Sequence, residues 1–469
     1  MNELTDLSLK ETYEKLKGRE VTSVEVTTSY LQNIEKLDKK IDSTLLVTSD
    51  SAVETAKKAD LLIADSSPVC WLTGTPFLAK DNLSTEGIVT TAASKILENY
   101  TPVYDSTVIA NLKKVVAPML GKTNMDEFAM GGSTEKSAFK ITKNPYDLDR
   151  VPGGSSGGSA AAIASDLATF ALGSDTGGSI RQPASFCSVV GLKPTYGRTS
   201  RFGLIAMGSS LDQVGPITKT VEDSALVLNI IGGYDEKDGT TVKKELPDYS
   251  KNIHHGVKGK KIGVPKEYFG EGIASEVKEV TKKALERLED SGAELVEISL
   301  PNTKESIPVY YVIMAAEVSS NLARFDGVRF GKDRSHFGDE TKRRIMLGTY
   351  ALSSGYYDAY YLKAAKVRRL VREDFDKAFE NVDLIAGPVA PTTAFKIGEK
   401  TSSPLQMYLE DLLTVPISLA GLPAISVPAG YADDLPVGLQ IIGKMWGEEE
   451  ILQAAYVVEK TTHRIRPKL

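Results

Sequence analysis

Apolar residues near the start of the chain recur at helical spacing. Thr22 and Glu25 stand just ahead of this run and match the pattern of a helix-capping box. The periodic positions, which fall on one face of an α-helix, are Val26, Tyr30, Ile34, Leu37 and Ile41. The pattern therefore predicts a helix that begins after Thr22 and buries this face.

Beyond this helix, short apolar strands alternate with amphipathic helices. Residues 72–216 are dense in glycine, serine and short apolar runs, which is typical of a compact α/β unit. Residues 235–251 are rich in lysine and glutamate and are predicted to form an exposed loop. The later predicted segments are a strand at 260–265, a helix at about 275–291 ended by Gly292, a helix at 357–379 and a strand at 382–386 stopped by Gly387 and Pro388. This alternation argues for α/β layering around a mainly buried sheet.

The composition is that of an ordinary globular protein of 469 residues, 41% hydrophobic and 25% charged. A formal net charge of -6 argues against a protein that grips nucleic acid over a wide surface. The two cysteines, Cys70 and Cys187, are too few for a disulfide framework, which fits a reducing compartment. The polar N-terminus lacks the apolar core of a signal peptide, and no apolar run approaches the roughly 18 residues of a membrane span. We therefore expect a cytoplasmic protein without a membrane segment.

Several common kinds of site are disfavoured by the sequence. The four histidines lie in polar surroundings, at His254, His255, His336 and His463. None stands beside a nucleophile motif, which argues against a Ser-His-Asp triad, and with the cysteines they match no zinc-ligand spacing. The GKT at residues 121–123 ends like a phosphate-binding loop, but Val116 stands where the leading glycine is required.

Three motifs remain that fit together chemically. GGSSGGS at residues 153–159 and DTGGS at 175–179 each place serines beside paired glycines, and an apolar strand delivers Lys80 to its polar end. Backbone N–H groups around a Gly-Gly turn can form an oxyanion hole beside a serine nucleophile. A lysine at the end of a buried strand can lose its charge by desolvation and act as a base near neutral pH. Singly, the serines could be helix caps and Lys80 a salt-bridge partner, but the three motifs together favour a serine nucleophile served by a lysine base.

The order of these motifs resembles the amidase signature family over most of the chain, most closely at about residues 121–216. The motifs that carry the resemblance are KDN at 80–82, GGSSGGS at 153–159 and DTGGSIR at 175–181. The resemblance implies one α/β domain over residues 1–469, with a signature core at about 72–216. It also implies a large mixed β-sheet covered by helices on both faces.

The same resemblance implies the roles of the site residues. Ser179 is the implied nucleophile, Ser155 the bridging serine held by a cis peptide bond, and Lys80 the terminal base. The implied oxyanion-hole donors are the backbone N–H groups of Thr176, Gly177, Gly178 and Ser179. The implied reaction is amide hydrolysis through an acyl-serine intermediate.

Within that family, further segments are similar to the A subunits of tRNA-dependent amidotransferases. They lie at residues 121–131, 144–152, 310–313, 321–327, 342–345 and 407–413. This similarity implies that Tyr310, Arg344 and Asp411 hold free L-glutamine, with the arginine on its α-carboxylate and the aspartate on its α-ammonium. Singly, Arg344 and Asp411 could be surface ion pairs and Tyr310 a core aromatic.

The similarity also implies partners. This chain would be the glutaminase of a heterotrimer, in which a B subunit uses ATP and magnesium to convert Glu-tRNA(Gln), or Asp-tRNA(Asn), to the amidated form, and a C subunit holds the two together. Misacylated tRNA would bind through the B subunit, and no cofactor or metal is expected in this chain. The alternatives are a stand-alone amidase on another amide, a catalytically inactive scaffold and, more remotely, a nucleic-acid-binding module.

Two positions and one segment depart from the pattern of those A subunits. Gly132 stands in place of serine and Lys136 in place of asparagine, both next to the expected pocket. The segment at residues 330–341 is also shorter than in those subunits. The sequence leaves open which tRNA is served, whether the isolated chain is active and where an ammonia channel would run.

Overall fold

The structure, a computed structural model, describes residues 3–65, 67–329, 331–467 and 469. Within these residues, eleven strands form one sheet. The strands are β1 (Thr44–Val47), β2 (Phe77–Lys80), β3 (Met119–Thr123), β4 (Phe170–Asp175), β5 (Val190–Lys193), β6 (Gln213–Thr218), β7 (Lys261–Pro265), β8 (Glu294–Ile298), β9 (Leu384–Pro388), β10 (Ala424–Ala432) and β11 (Leu435–Ile442).

Fifteen α-helices are found in the same described part of the chain. They are α1 (Glu3–Asp6), α2 (Leu9–Lys17), α3 (Ser23–Ile41), α4 (Ser49–Ala64), α5 (Thr107–Lys114), α6 (Gly157–Ala164), α7 (Arg181–Phe186), α8 (Val221–Ile231), α9 (Ser275–Asp290), α10 (Ser306–Asn321), α11 (Asp339–Ala351), α12 (Lys363–Ala378), α13 (Pro404–Leu409), α14 (Val415–Ala420) and α15 (Glu448–Thr461).

The sheet is mixed, with the strand order β1-β3-β2-β4-β6-β5-β10-β11-β9-β7-β8. Strand β2 runs parallel to both β3 and β4, and β7 runs parallel to β8 and β9. The strands between these groups pair antiparallel. The predicted large mixed sheet is confirmed.

Helices cover both faces of the sheet. Because side chains of a strand alternate between faces, Phe77 and Ala79 enter one apolar cluster, with residues of α5, α8, α9 and α15, whereas Leu78 enters another, with residues of α3 and α6. The site strands are thus buried on two sides, as the near-continuous apolar run of β2 requires.

The predicted N-terminal helix is confirmed as α3. The Thr22 hydroxyl accepts from Glu25 N at 3.1 Å, and Thr22 N donates to Glu25 Oε2 at 2.8 Å, which completes the capping box. Of the predicted apolar face, Leu37 is partly buried, and the other four positions are buried.

The later predicted elements are also present, with shifted boundaries. The predicted helix at 357–379 starts as the π-helical turn Asp358–Leu362 and continues as α12. The expectation that the next strand stops at Gly387 and Pro388 is wrong, because β9 includes both residues. Pairing of β9 with β7 ends at Ile385, and beyond it the strand continues along β11 alone, an edge position that tolerates proline.

Two further expectations concern segments outside the core. Residues 235–251 form neither helix nor strand and are largely exposed, as predicted. Among the residues described, no helix is both long and apolar enough to cross a membrane.

Candidate active site

Strand order brings the three predicted motifs to one edge of the sheet. Lys80 is the last residue of β2, and β4, which runs parallel beside it, ends at Asp175. The turn that contains Ser179 follows β4 directly, and Ser155 lies just ahead of α6. Because carboxyl ends of parallel neighbours meet at the same edge, the sequence places Lys80 next to both serine motifs.

The Lys80 amine lies among hydroxyl groups. Its Nζ is 2.8 Å from Ser155 Oγ, 2.8 Å from Ser156 Oγ and 2.9 Å from Ser174 Oγ, and the Ser174 carbonyl oxygen is 3.3 Å away. The lysine side chain is fully buried, and no carboxylate contacts its amine among the described residues. Sequence reasoning had identified Lys80 and Ser155 but had given Ser156 and Ser174 no role.

Burial lowers the pKa of Lys80 to about 7, and the carboxylates of Asp126, Asp175 and Asp212 partly oppose this shift by favouring the charged amine. Near neutral pH a large fraction of the Lys80 amine is therefore uncharged. An uncharged amine 2.8 Å from a serine hydroxyl can accept its proton.

We therefore predict that amide hydrolysis rises with pH through about 7. The neutral amine would be the active form of a Lys80 base, and the lowered pKa of Lys80 makes this form accumulate as pH increases through that value. Measuring kcat/KM between about pH 5 and 9 checks this, since an acid limb reports the ionisation of an essential base in the free enzyme. A rate that falls as pH rises through 7 would contradict it.

The backbone residue before Ser155 is a tightly packed glycine, Gly154. The Gly154–Ser155 peptide bond is cis, at the position where the resemblance placed it. A Cβ at Gly154 would lie 2.3 Å from Asp126 Oδ2, so no larger residue fits there. Asp126 is itself held in place by the backbone N–H groups of Thr134 and Lys136, at 2.9 and 3.0 Å.

Ser179 lies on the adjacent turn and is 8% exposed, whereas Ser155 is fully buried. The two segments are joined through the backbone, where Ser156 N donates to Ser179 O at 3.1 Å. Among the described residues, no side-chain hydrogen bond joins the Ser155 and Ser179 hydroxyls. The structure thus brings Lys80 within hydrogen-bond distance of Ser155 and places Ser179 on the adjacent turn. Hydrogen bonds in unliganded sites commonly tighten when substrate binds.

The turn after β4 is organised by the Asp175 carboxylate. Asp175 accepts from Gly178 N at 2.9 Å and from Ile180 N at 3.2 Å. The expected oxyanion donor at Gly178 is therefore already committed to Asp175. The N–H groups of Thr176, Gly177 and Ser179 stay as candidate oxyanion donors, and Gly178 serves to shape the turn at φ +143°.

The three expected glutamine-binding residues converge near this turn. Tyr310 is buried on α10, and a Cβ at Gly177 would lie 2.7 Å from its hydroxyl oxygen. Arg344 is buried on α11, where its Nε donates to Glu340 Oε1 at 2.8 Å. Asp411 is reached by Tyr311 rather than by Tyr310, through a hydroxyl 3.1 Å from its Oδ2.

Sequence reasoning missed three residues of this group. Tyr311 and Tyr408 stack with ring centroids 3.8 Å apart, and the Arg344 guanidinium lies 5.2 and 5.6 Å from their rings. Tyr408 also donates to Glu340 Oε1 at 2.9 Å. The signal for Glu340 was present, because it stands four residues before Arg344 on a helix.

Burial raises the pKa of Asp411 to about 7, and the nearby Arg344 guanidinium only partly opposes the shift. An unpaired carboxylate in this position is therefore poorly stabilised without a cationic partner. A ligand ammonium group would supply that partner.

A pocket of about 160 Å³ opens beside Arg344 and Tyr408. Its lining includes Gly132 and Lys136, the two positions that depart from the amidotransferase pattern. The short segment at 330–341 leads into α11, whose start is anchored by hydrogen bonds from Gly338 N and Thr341 Oγ1 to one buried carboxylate, Glu127. Phe330 lies outside the described residues.

The described residues contain no group of three or more His, Cys, Asp or Glu side chains arranged to hold a metal ion.

Comparison with known proteins shows the family to which the whole chain is similar. The sequence profile of the family described as Amidase matches residues 25–452. The glutamyl-tRNA(Gln) amidotransferase subunits A of Thermoanaerobacter pseudethanolicus and Carboxydothermus hydrogenoformans are 57% and 55% identical to this chain, over 98% and 100% of it and 97% and 100% of their own lengths. The crystal structure of that subunit from Thermotoga maritima, 44% identical, superposes with a TM-score of 0.83 over 98% of this chain and 95% of its own.

Proposed function

Because this chain belongs to the amidase family, we propose that it is the glutamine-hydrolysing subunit of a tRNA-dependent amidotransferase. The observation that carries the proposal is the buried Lys80 amine held 2.8 Å from Ser155 Oγ, with its pKa lowered by burial to about 7, beside the turn that bears Ser179. The high identity to amidotransferase A subunits over nearly the whole chain supports the choice of glutamine over other amides.

The reaction begins with proton transfer along the relay. Neutral Lys80 takes the proton of Ser155, and Ser155 takes the proton of Ser179 as its oxygen attacks the side-chain amide carbon of glutamine. The developing oxyanion is held by N–H groups of the turn, from Thr176, Gly177 and Ser179. The proton returns to the leaving nitrogen, the C–N bond breaks, and ammonia departs. Water then hydrolyses the acyl-serine by the same relay and releases glutamate.

Recognition of glutamine rests on two opposite charges. Glu340 accepts from Nε of Arg344 and Met314 Sδ lies 3.5 Å from Nη1, which leaves Nη2 to pair with the α-carboxylate. Asp411 pairs with the α-ammonium, and this cation stabilises the charged carboxylate that burial disfavours. The two contacts fix the amino acid so that its side-chain amide reaches Ser179.

The remaining components belong to partners. A B subunit would activate the misacylated tRNA with ATP and magnesium, and a C subunit would hold the pair together in the cytoplasm. The net charge of -6 supports a chain that does not itself carry the tRNA. The alternative is a stand-alone amidase, which would use the same relay without Arg344 and Asp411.

The proposal is tested by ammonia release from the chain co-expressed with its partner subunits. We expect release from L-glutamine, and we expect Asp411→Asn to raise KM for glutamine by about 10- to 100-fold, because a charge-assisted contact to the ammonium is lost. Hydrolysis of a simple amide such as propionamide should keep its KM in this variant, since that substrate has no ammonium group.

The matched control is Asp433→Asn, the same change on an exposed turn between β10 and β11. It should leave both substrates unaffected. Equal loss on glutamine and propionamide would refute the assignment of Asp411, and hydrolysis of simple amides with no release from glutamine would favour the stand-alone amidase.

A further inference from the structure

Lys80 is surrounded by more hydroxyl groups than the proposed relay uses. Besides Ser155, the hydroxyls of Ser156 and Ser174 lie within hydrogen-bond distance of its Nζ, at 2.8 and 2.9 Å. A neutral amine offers two N–H donors and one lone pair. To take the proton of Ser155, the lone pair has to face Ser155, and the two N–H groups then face the remaining acceptors, which are the other two hydroxyls and the Ser174 carbonyl oxygen at 3.3 Å.

The backbone fixes Ser156 in the required role. Its hydroxyl donates to the Ser174 carbonyl oxygen at 3.2 Å, so its proton is committed there. The Ser156 oxygen therefore meets Lys80 as an acceptor and cannot donate to the amine lone pair.

Ser174 is controlled by a different neighbour, Asn82. The side chain of Asn82 lies two residues beyond Lys80, with Nδ2 2.9 Å from Ser174 Oγ. Its Oδ1 is buried and has no hydrogen-bond partner among the described residues. Turning the amide by 180° exchanges these two atoms, which occupy nearly the same space.

The two amide orientations have opposite consequences for the base. With Oδ1 towards it, Ser174 donates its proton to Asn82 and meets Lys80 as an acceptor only. With Nδ2 towards it, the Ser174 proton is released from Asn82, and the Lys80 lone pair is the acceptor it faces. In that case Ser174 competes with Ser155 for the lone pair. Turning the amide gives Oδ1 the Ser174 hydroxyl as a partner and moves Nδ2 to the position where Oδ1 had none, so the two orientations differ in which serine proton faces the Lys80 lone pair.

We propose that Asn82 is a positioning residue that accepts the Ser174 hydroxyl proton through Oδ1 and thereby directs the Lys80 lone pair to Ser155. The inference rests on the relay of the proposed function and adds to it the group that orients the base. Asn82 and Ser174 are both buried, which keeps this arrangement fixed.

The first test is a double-mutant cycle on the rate at which Ser179 is sulfonylated by phenylmethanesulfonyl fluoride, followed by intact mass in the co-expressed complex. In this step the Ser179 oxygen bonds to sulfur, fluoride leaves, and the proton passes through Ser155 to Lys80. Asn82→Ala should slow the reaction by about 10- to 100-fold, because misdirecting the base removes part of a general-base contribution that is typically about 10²- to 10⁴-fold. In a Ser174→Ala background, where no competing proton exists, Asn82→Ala should cost no more than about twofold. If the double variant is slowed by the product of the two single-variant rate reductions, the proposal is overturned.

The second test uses Asn82→Asp, whose carboxylate can only accept. The Ser174 proton stays committed, but the added negative charge raises the pKa of Lys80 beyond the effect of Asp126, Asp175 and Asp212, which already face it. The acid limb of the rate should therefore move to higher pH, with the wild-type rate regained above it. Asn82→Ala should be slow at every pH. An aspartate variant as slow as the alanine variant throughout would overturn the proposal, and the double-mutant cycle decides the matter if the aspartate variant does not fold.

Sulfonylation does not require the glutamine pocket, so the two proposals fail separately. A wild-type chain that reacts at Ser179 but releases no ammonia from glutamine would refute the proposed substrate alone. Multiplying losses in the cycle, with normal glutamine hydrolysis by the wild type, would refute the role of Asn82 alone.

Discussion

Replacing Ser179 with alanine is expected to abolish ammonia release from L-glutamine, lowering kcat by about 10⁴-fold or more, because loss of a covalent nucleophile removes the acyl-enzyme route. The variant should still assemble with its partner subunits. The Ser179 hydroxyl makes no side-chain hydrogen bond among the described residues, so removing it should disturb little of the fold. Ammonia release by the complex, together with size-exclusion chromatography, measures both effects.

The matched control is Ser159→Ala, in the same glycine-serine segment as Ser155. Ser159 Oγ bonds to Leu172 O at 3.0 Å and lies 2.7 Å from Thr123 Oγ1, away from the Lys80 amine. Its loss should cost about 1 kcal/mol of stability and leave ammonia release within a few-fold of wild type. Equal release by wild type and Ser179→Ala would refute the mechanism. No release by any variant of an assembled complex would point to the stand-alone amidase or to an inactive scaffold.

Local sequence patterns predicted the elements well wherever a single segment holds all the information. The capping box and the apolar face of α3 lie within twenty residues of each other, so the helix could be placed at Thr22 from sequence alone. The end of β9 could not be placed from sequence alone, because whether Pro388 belongs to the strand depends on which neighbouring strand has stopped pairing. That is a property of the assembled sheet.

The candidate site shows the same division. Lys80, Ser155 and Ser179 stood out because glycine-serine turns and a lysine at a strand end are visible locally. Ser174 and Asn82 received no role, although Asn82 lies in the KDN motif, since their side chains meet only because β2 and β4 are neighbours in the sheet. Strand order of this kind is not encoded in any short motif.

The expected glutamine-binding residues show how precisely sequence can assign a ligand contact. Consecutive helical residues point about 100° apart, so a motif that contains two tyrosines does not say which one faces the ligand. Tyr310 packs on the turn at Gly177, whereas Tyr311 bonds to Asp411. Only the packing of α10 against its neighbours decides between them.

A second large effect is expected at Arg181, whose guanidinium ties the Ser179 turn to the rest of the fold. It is fully buried, and its Nε and Nη2 lie 3.0 and 2.9 Å from the two Asp175 oxygens. Its remaining N–H groups reach Thr414 O, Ser418 Oγ and Gln440 Oε1 at 3.1, 2.9 and 2.6 Å. All five N–H groups of the guanidinium thus have an acceptor, an arrangement that a lysine could not reproduce.

Arg181→Met should therefore lower the free energy of unfolding by about 3–5 kcal/mol, the usual cost of leaving a buried charge unpaired. Burial by itself would raise the pKa of Asp175, and the Arg181 charge and its hydrogen bonds outweigh that effect and keep the pKa below its ordinary value. Without Arg181 the pKa of the Asp175 carboxyl would rise, and the hydrogen bonds that it accepts from Gly178 N and Ile180 N would weaken. The rate of Ser179 sulfonylation should fall in parallel with stability, which chemical denaturation measures.

The stability loss expected for Arg181→Met comes from burial of the ion pair and not from the mere presence of one. A substitution in an exposed ion pair tests this distinction. Arg369, 82% exposed and 2.9 Å from Glu373, is the matched control, and Arg369→Met should cost less than about 1 kcal/mol. Adding Asp175→Asn to Arg181→Met removes the stranded charge and should recover part of the lost stability. If Arg181→Met cost no more than Arg369→Met, the buried pair could not be what holds the nucleophile turn in place. Recovery of stability without recovery of the sulfonylation rate would mean that the charge pair, and not packing alone, sets the position of Ser179.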